Sequence, residues 1–371
     1  MMPRHYLLSC TVVCTTLLGL TPQFAKAEYI QVNLTSDIPG LAAFTDANLK
    51  NPWGMTNLPT SPFWVADQRT NVATLYNGAG LPQALVVTTP VSPTGAVANG
   101  TTSFELAPNE PARFIFATSL GQIAAWNPSV SPTSTVTVAT TPAASYTGLA
   151  IATPFGGPNL LYAANIAGGR IDVFNGAFAP TTLAGNFTDP NLPAGLRPFN
   201  IQALAGRLFV TYAPAVPAPN QGIVDIFDLN GNFQERLITN DHLNSPWGVT
   251  LASANFGQFS GDLLVGNFGD GSISAFDPTT GAFLGQLLNQ NLSAILIPGL
   301  RSLVFRGGTG FDPNALYFTA GINNGLDGLF GEIQVAATPL PAALPLFAAG
   351  LGALGLLGWR RKRKTAALGA A

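Results

Sequence analysis

The chain has 371 residues, of which 9% are charged and 47% hydrophobic, with 40 glycines, 30 prolines and two cysteines. Its formal charge of −2 hides an asymmetry: residues 28–338 hold all 18 acidic residues and nine basic ones, a formal charge of −9. Scattered arginines in an acidic domain give nucleic acid no electrostatic footprint, and Cys10 and Cys14 both fall in the first 27 residues, so the domain has no disulfide or thiol chemistry.

Residues 1–27 read as an export signal. Arg4 supplies the positive charge, Leu7 to Leu20 is apolar or small, and Ala25-Lys26-Ala27 fits a small-x-small cleavage site before Glu28. "YIQVNLT" (29–35) follows as a strand with no neighbour of its own. From there short runs of Val, Ile, Leu, Phe and Tyr alternate with Gly, Pro, Asn and Thr clusters, the signature of short strands.

The runs come in triplets. The first is "WGMT" (53–56), "FWVAD" (63–67) and "NVATLYN" (71–77); the second "FEL" (104–106), "FIFAT" (114–118) and "GQIAAWN" (121–127). The third is "GLAIA" (148–152), "LLYAAN" (160–165) and "GRIDVFN" (169–175); the fourth "FNIQAL" (199–204), "RLFVTY" (207–212) and "GIVDIFD" (222–228). "WGVTL" (247–251), "DLLVGN" (262–267) and "GSISAFD" (271–277) make the fifth, and "LVFR" (303–306), "ALYFTA" (315–320) and "GEIQV" (331–335) the sixth. The third runs start 48 to 60 residues apart. That period, six times over, predicts a six-bladed β-propeller rather than a double β-sandwich.

Three features fit the ring. Pro-Trp-Gly occurs twice, with Trp53 and Trp247 194 residues apart, about four repeats, so the two fill the same slot in blades 1 and 5. Each tryptophan is read as a wedge between blades. "AGLRPF" (194–199) and "PGLRSL" (298–303) supply a second internal match. The sixth repeat lacks an outer strand, and the spare N-terminal one, Tyr29 to Thr35, is expected to complete it against Gly331 to Ala336, because a closed ring leaves no open edge.

The tail, 337–371, holds 18 uncharged residues from Ala342 to Trp359, about 27 Å of helix at 1.5 Å per residue, enough to cross a membrane. The basic run Arg360, Arg361, Lys362, Arg363 and Lys364 then belongs on the cytoplasmic side. Pro339-x-Pro341, an apolar span with glycines, Trp359 and the basic cluster together resemble the PEP-CTERM sorting signal, although Leu340 stands where that motif has glutamate. The domain before it is similar to an uncharacterised family of PEP-CTERM-associated propeller-like proteins with Pro-Trp-Gly near both ends. These resemblances imply processing by an exosortase-type enzyme, membrane anchoring before processing, and a final place at the cell surface or outside the cell, near extracellular polysaccharide.

Catalytic templates are missing. His242 stands alone after the signal, no Gly-x-Ser-x-Gly elbow or phosphate loop occurs, and "GNFGDGS" (266–272) lacks a full calcium-loop pattern. Polar residues at the turns between second and third strands all fall on one face of the ring, and loops on a rigid scaffold are where binding resides. Asp67, Arg69, Asn165, Arg170, Asn267, Asp270, Asn323 and Asp327 are the ligand-binding candidates, with Gln68 and Asn324 beside them. No cofactor is firmly implied; a divalent cation at the channel mouth is the one option. The expectation is an exported, non-enzymatic binding or matrix module linked to exopolysaccharide or biofilm, with a metal-dependent propeller hydrolase or lactonase as the alternative.

Overall fold

A computed structural model describes residues 28–239 and 242–336, together with positions 352, 355, 356 and 359. Residues 1–27, read above as an export signal, and the rest of 337–371, read as a sorting signal and including Pro339, Pro341, Arg360, Arg361, Lys362 and Arg363, lie outside the described residues. Among the described residues no helix is long and apolar enough to cross a membrane.

Six sheets stand around one axis. Blade 1 runs outward through Pro52–Thr56, Phe63–Asp67, Val72–Tyr76 and Val87–Thr88, and blade 2 through Pro93–Ala98, Phe114–Thr118, Gln122–Trp126 and Val136–Thr140. Blade 3 comprises Tyr146–Ala152, Leu160–Asn165, Arg170–Phe174 and Pro180–Thr181; blade 4 comprises Leu196–Leu204, Arg207–Pro214, Ile223–Phe227 and Phe233–Thr239. Blade 5 is Pro246–Leu251, Leu263–Asn267, Ile273–Phe276 and Phe283–Gln286. Blade 6 takes Leu300–Phe305, Leu316–Ala320 and Leu329–Val335 from the end of the domain and Tyr29–Ser36 from its start.

That last pairing is antiparallel, with Tyr29 opposite Val335 and Asn33 opposite Gly331 before a bulge brings Thr35 to Phe330. The ring is therefore closed by its N-terminal strand, as the unmatched sixth repeat predicts. Phe44–Thr45 then covers part of the outer edge in parallel.

The apolar pattern follows from the ring. A middle strand has a neighbouring blade on both faces, so both sets of alternating side chains are buried. In "FWVAD", Phe63 and Val65 pack toward blade 6, while Trp64 and Ala66 pack toward blade 2. Six such interblade cores and one axial cluster make up the interior. The aromatic that ends each third strand (Tyr76, Trp126, Phe174, Phe227 and Phe276) is buried in one of these cores. The Asn or Asp after it begins a turn. Asn77, Asn127, Asn175, Asp228 and Asp277 each accept, at Oδ1, a backbone N–H two residues on, at 2.8 to 3.0 Å.

Two sequence readings need correction. Blade 2 does not open with residues 104–106; its inner strand is Pro93–Ala98, and Glu105–Ala107 pairs with Glu110–Pro111 in a small side hairpin. The sequence "PTGAVA" is nearly devoid of large apolar groups because the strand lies at the crowded axis. The match between "AGLRPF" and "PGLRSL" is also out of register. Pro198, paired with Tyr212, and Leu300, paired with Ala320, are the residues that precede the bulge in their inner strands. Phe199, not Arg197, therefore occupies the place in blade 4 that Arg301 holds in blade 6.

Candidate functional site

Every inner strand carries a register irregularity near its start. Such bulges bend a strand and re-aim a side chain. The residues so placed are Trp53, Thr94, Thr147, Phe199, Trp247 and Arg301 in blade order. Next in each strand comes Gly54, Gly95, Gly148, Asn200, Gly248 or Ser302. The glycines permit one inner strand to approach the next. A Cβ on Gly54 would lie 2.5 Å from the Ala96 nitrogen, and one on Gly248 2.4 Å from the Arg301 carbonyl oxygen. Where the residue is not glycine, its side chain bridges the gap. Asn200 Nδ2 donates to the Trp247 carbonyl at 2.8 Å, and Ser302 Oγ donates to the Trp53 carbonyl at 3.0 Å.

The larger side chains plug the channel. Trp53 meets Trp247 edge to face at 6.2 Å and Phe199 in the same manner at 6.4 Å. Trp247 Nε1 donates to the Thr147 carbonyl at 3.0 Å, tying blade 5 to blade 3 across the axis. The tryptophans are thus packed and buried, but along the axis rather than between adjacent blades. Blade 6 lies between blades 5 and 1, so its Arg301 enters beside them.

Arg301 is sandwiched. Its guanidinium carbon lies 3.8 Å from the Trp53 ring centroid and 3.9 Å from that of Phe268. Only 5% of the residue is exposed, and Nε and Nη1 are buried without a hydrogen-bond partner. Burial pushes its pKa down to about 9, which leaves it charged at neutral pH. Cation–π contacts contribute about 0.5–2 kcal/mol each, whereas burying an ion without a counter-charge costs several kcal/mol. The two rings therefore offset only part of the cost.

Above Arg301 a pocket of about 430 Å³ opens on the face that carries the turns between second and third strands. Phe268, Gly269 and Asp270 line it from blade 5, Gly321, Asn324 and Gly325 from blade 6, Asn51 from the approach to blade 1, and Pro217 from blade 4. Asn51 and Asn324 hold left-handed backbone conformations, φ 49° and 57°, which cost non-glycine residues about 1 kcal/mol or more and gather at binding sites. Asn51 Nδ2 donates to Gln68 Oε1, but its own Oδ1 is buried and accepts nothing. Below the plug, a second cavity of about 210 Å³ lies among the inner strands.

The predicted site residues divide. Asp270 and Asn324 line the pocket; the remaining candidates do not. Asp67 is buried and accepts from Thr74 Oγ1 at 2.6 Å; burial first, then the charge of Asp46, holds its carboxyl well above the usual range despite that bond. Asn165 Nδ2 donates to Asp172 at 2.8 Å while its Oδ1 accepts from Gly168 N–H at 2.9 Å. Asn267 accepts from Asn244 N–H at 2.9 Å and donates to Ser272 Oγ at 3.0 Å. Arg170 pairs with Asp172 at 2.6 Å at a rim cavity, away from the axis. Arg69 Nε donates to the Gly325 carbonyl, joining blade 1 to blade 6. Asn323 Nδ2 donates to Asp327 at 2.8 Å, and Lys50 stands 3.6 Å from that aspartate. His242 is exposed and stacked on Phe283 at 3.5 Å. Asp270 is itself bonded, accepting from Ser272 N–H at 2.9 Å and Asn244 Nδ2 at 3.3 Å.

Arg301, Asn51 and Phe268 were missed. Alignment of the repeats on the residue after Pro52, Pro93, Tyr146, Pro198, Pro246 and Leu300, rather than on Leu-Arg, puts one arginine in a slot otherwise held by Trp, Thr or Phe.

Fold and pocket define a six-bladed propeller whose axis is plugged by aromatics and whose mouth holds a buried cation. No family model matches the chain. It is 31% identical over 333 residues to an uncharacterised protein of Acanthamoeba polyphaga mimivirus, covering 83% of this chain and 80% of that one. A second uncharacterised protein of the same virus is 30% identical over 339 residues, with 84% and 87% covered. The chain belongs to the family of these proteins. Among solved structures it is similar in fold to an auxiliary nutrient binding protein of Bacteroides ovatus, with a TM-score of 0.55, 10% identity, and 84% and 78% of the two chains covered. A protein of unknown function from Bacteroides thetaiotaomicron gives a TM-score of 0.54 at 11% identity, with 83% and 77% covered.

Proposed function

We propose that the chain is an exported or surface-associated binding module, linked to extracellular polysaccharide, that takes its ligand at the channel mouth. The observation that carries this reading is the pocket over Arg301, a cavity whose floor is a buried charge with unused donors. The acidic charge of the domain suits solubility outside the cell. An exosortase-type enzyme is the processing partner this reading assigns to the tail. No observation favours the hydrolase or lactonase alternative; among the described residues no group of three or more His, Cys, Asp or Glu is placed to hold a metal.

The test is a panel of neutral and acidic soluble glycans titrated onto the full chain, followed by the hits on a double variant, Asn324→Gly with Asp270→Asn. At least one glycan is expected to bind, at least fivefold more weakly to the variant. A panel without a hit, or hits indifferent to both substitutions, would overturn the reading.

A further inference from the structure

Two buried residues at the wall of the pocket have unmet hydrogen-bonding capacity of opposite kind. Arg301 offers Nε–H and Nη1–H with nothing to accept them, and no carboxylate of the described residues lies within ion-pair distance of it. Asn51 offers a buried Oδ1 with nothing to donate to it. Both residues line the same cavity. The guanidinium faces are covered by Trp53 and Phe268, so only its edge is left for a ligand. An oxyanion meets that edge through charge-assisted N–H···O contacts.

Charge narrows the choice further. Asp270 lines the same pocket. A carboxylate brings one negative charge and neutralises Arg301, whereas a dianionic phosphate would leave excess negative charge beside Asp270. The Asn51 oxygen calls for a donor, and a hydroxyl group on the ligand supplies it. The cavity, about 430 Å³, is within the range of small-molecule sites.

We propose that this pocket binds a hydroxyl-bearing carboxylate, the chemical class of the uronate units of acidic polysaccharides, with the carboxylate on Arg301 and a hydroxyl on Asn51. The inference rests on the channel mouth being the ligand site and names what enters it.

The test titrates the full chain with sodium glucuronate, glucose, inorganic phosphate and cyclohexanecarboxylate by calorimetry, with tryptophan fluorescence as a second readout because Trp53 faces Arg301. Glucuronate is expected to bind at least tenfold more tightly than the other three. Arg301→Met should lose that preference, and Arg301→Lys should keep part of it. Asn51→Gly, which tolerates the left-handed backbone, should weaken glucuronate severalfold and leave cyclohexanecarboxylate unchanged. Should Arg301→Met fail to fold, the Asn51→Gly comparison and the four wild-type titrations still decide the matter. Phosphate binding as tightly as glucuronate would make this a general oxyanion site and overturn the proposal; so would equal binding of glucose, or glucuronate binding unchanged in Arg301→Met. A protein that takes a neutral glycan at the mouth but not glucuronate overturns the ligand class and spares the binding module. A protein that takes no glycan at all overturns both.

Discussion

Buried acids in this ring are held by different means, and Asp225 is the one left with least help. It is fully buried on the third strand of blade 4, and neither carboxylate oxygen has a hydrogen bond. Burial raises its pKa to about 7, Asp189 adds to the rise, and Arg236, 3.7 Å away, opposes it. The folded pKa thus exceeds the unfolded value of about 3.9. The stabilising contribution is complete below about pH 4 and is lost as pH rises through about 7. Thermal melts from pH 4 to 8 should show Asp225→Asn losing less stability across that window than the parent. Equal slopes would refute the assignment. Asp67, raised in the same direction, keeps part of the slope in the variant. At this scale the sequence was half readable. Asp67, Asn165 and Asn267 look like free polar groups at a channel mouth. Each has a hydrogen-bond partner seven residues on, Thr74, Asp172 and Ser274, diagonally across the hairpin. Arg301 gave no comparable local sign, since its rings come from blades 1 and 5.

The inner strands are elements whose chemistry is dictated by closeness to the axis. Gly248→Ala would drive its Cβ against a backbone carbonyl, which cannot rotate away as a side chain can. Overpacking of this kind costs about 1–3 kcal/mol. The urea midpoint should drop accordingly, while Gly100→Ala, with nothing within 4 Å, should change it little. A midpoint shared by the two variants would mean that the inner strands can spread. The same crowding explains the misread blade 2. Periodicity locates strands by their large apolar side chains, and Pro93–Ala98 has Val97 alone, so the apolar "FEL" nearby drew the assignment. Middle strands such as Phe114–Thr118 were legible because burial on both faces demands a continuous run.

For the whole molecule, closure is the decisive contact. Tyr29 is fully buried, stacked near Phe256 and Phe259, and donates from its hydroxyl to the Phe256 carbonyl at 3.1 Å. Deletion of residues 29–36 would strip these contacts and leave Leu329–Val335 as an open edge, an invitation to intermolecular pairing. Gel filtration should show the truncated protein associating, and a synthetic peptide spanning residues 28–45 should restore the monomer. A truncated protein that stays monomeric and melts like the parent would show closure to be dispensable. The count of six and the missing strand were visible because repetition is a property of sequence. The plug was not, because it exists only where six blades converge.

Closure by the first strand also sets a clock. Ser36 Oγ donates to the Gly328 carbonyl, 292 residues away. At about 5–20 residues per second of synthesis, roughly 15–60 s separate the emergence of the two partners. Throughout that interval the leading strand has no mate. Its sequence, "YIQVNLTS", places Gln31, Asn33 and Thr35 directly after Ile30, Val32 and Leu34, so no continuous apolar run is left open to other chains while it waits. Stability of the finished ring and success in reaching it are therefore governed by different residues: the first by the interblade cores, the second by Gln31, Asn33 and Thr35 on a strand that must remain unattractive until the last blade arrives.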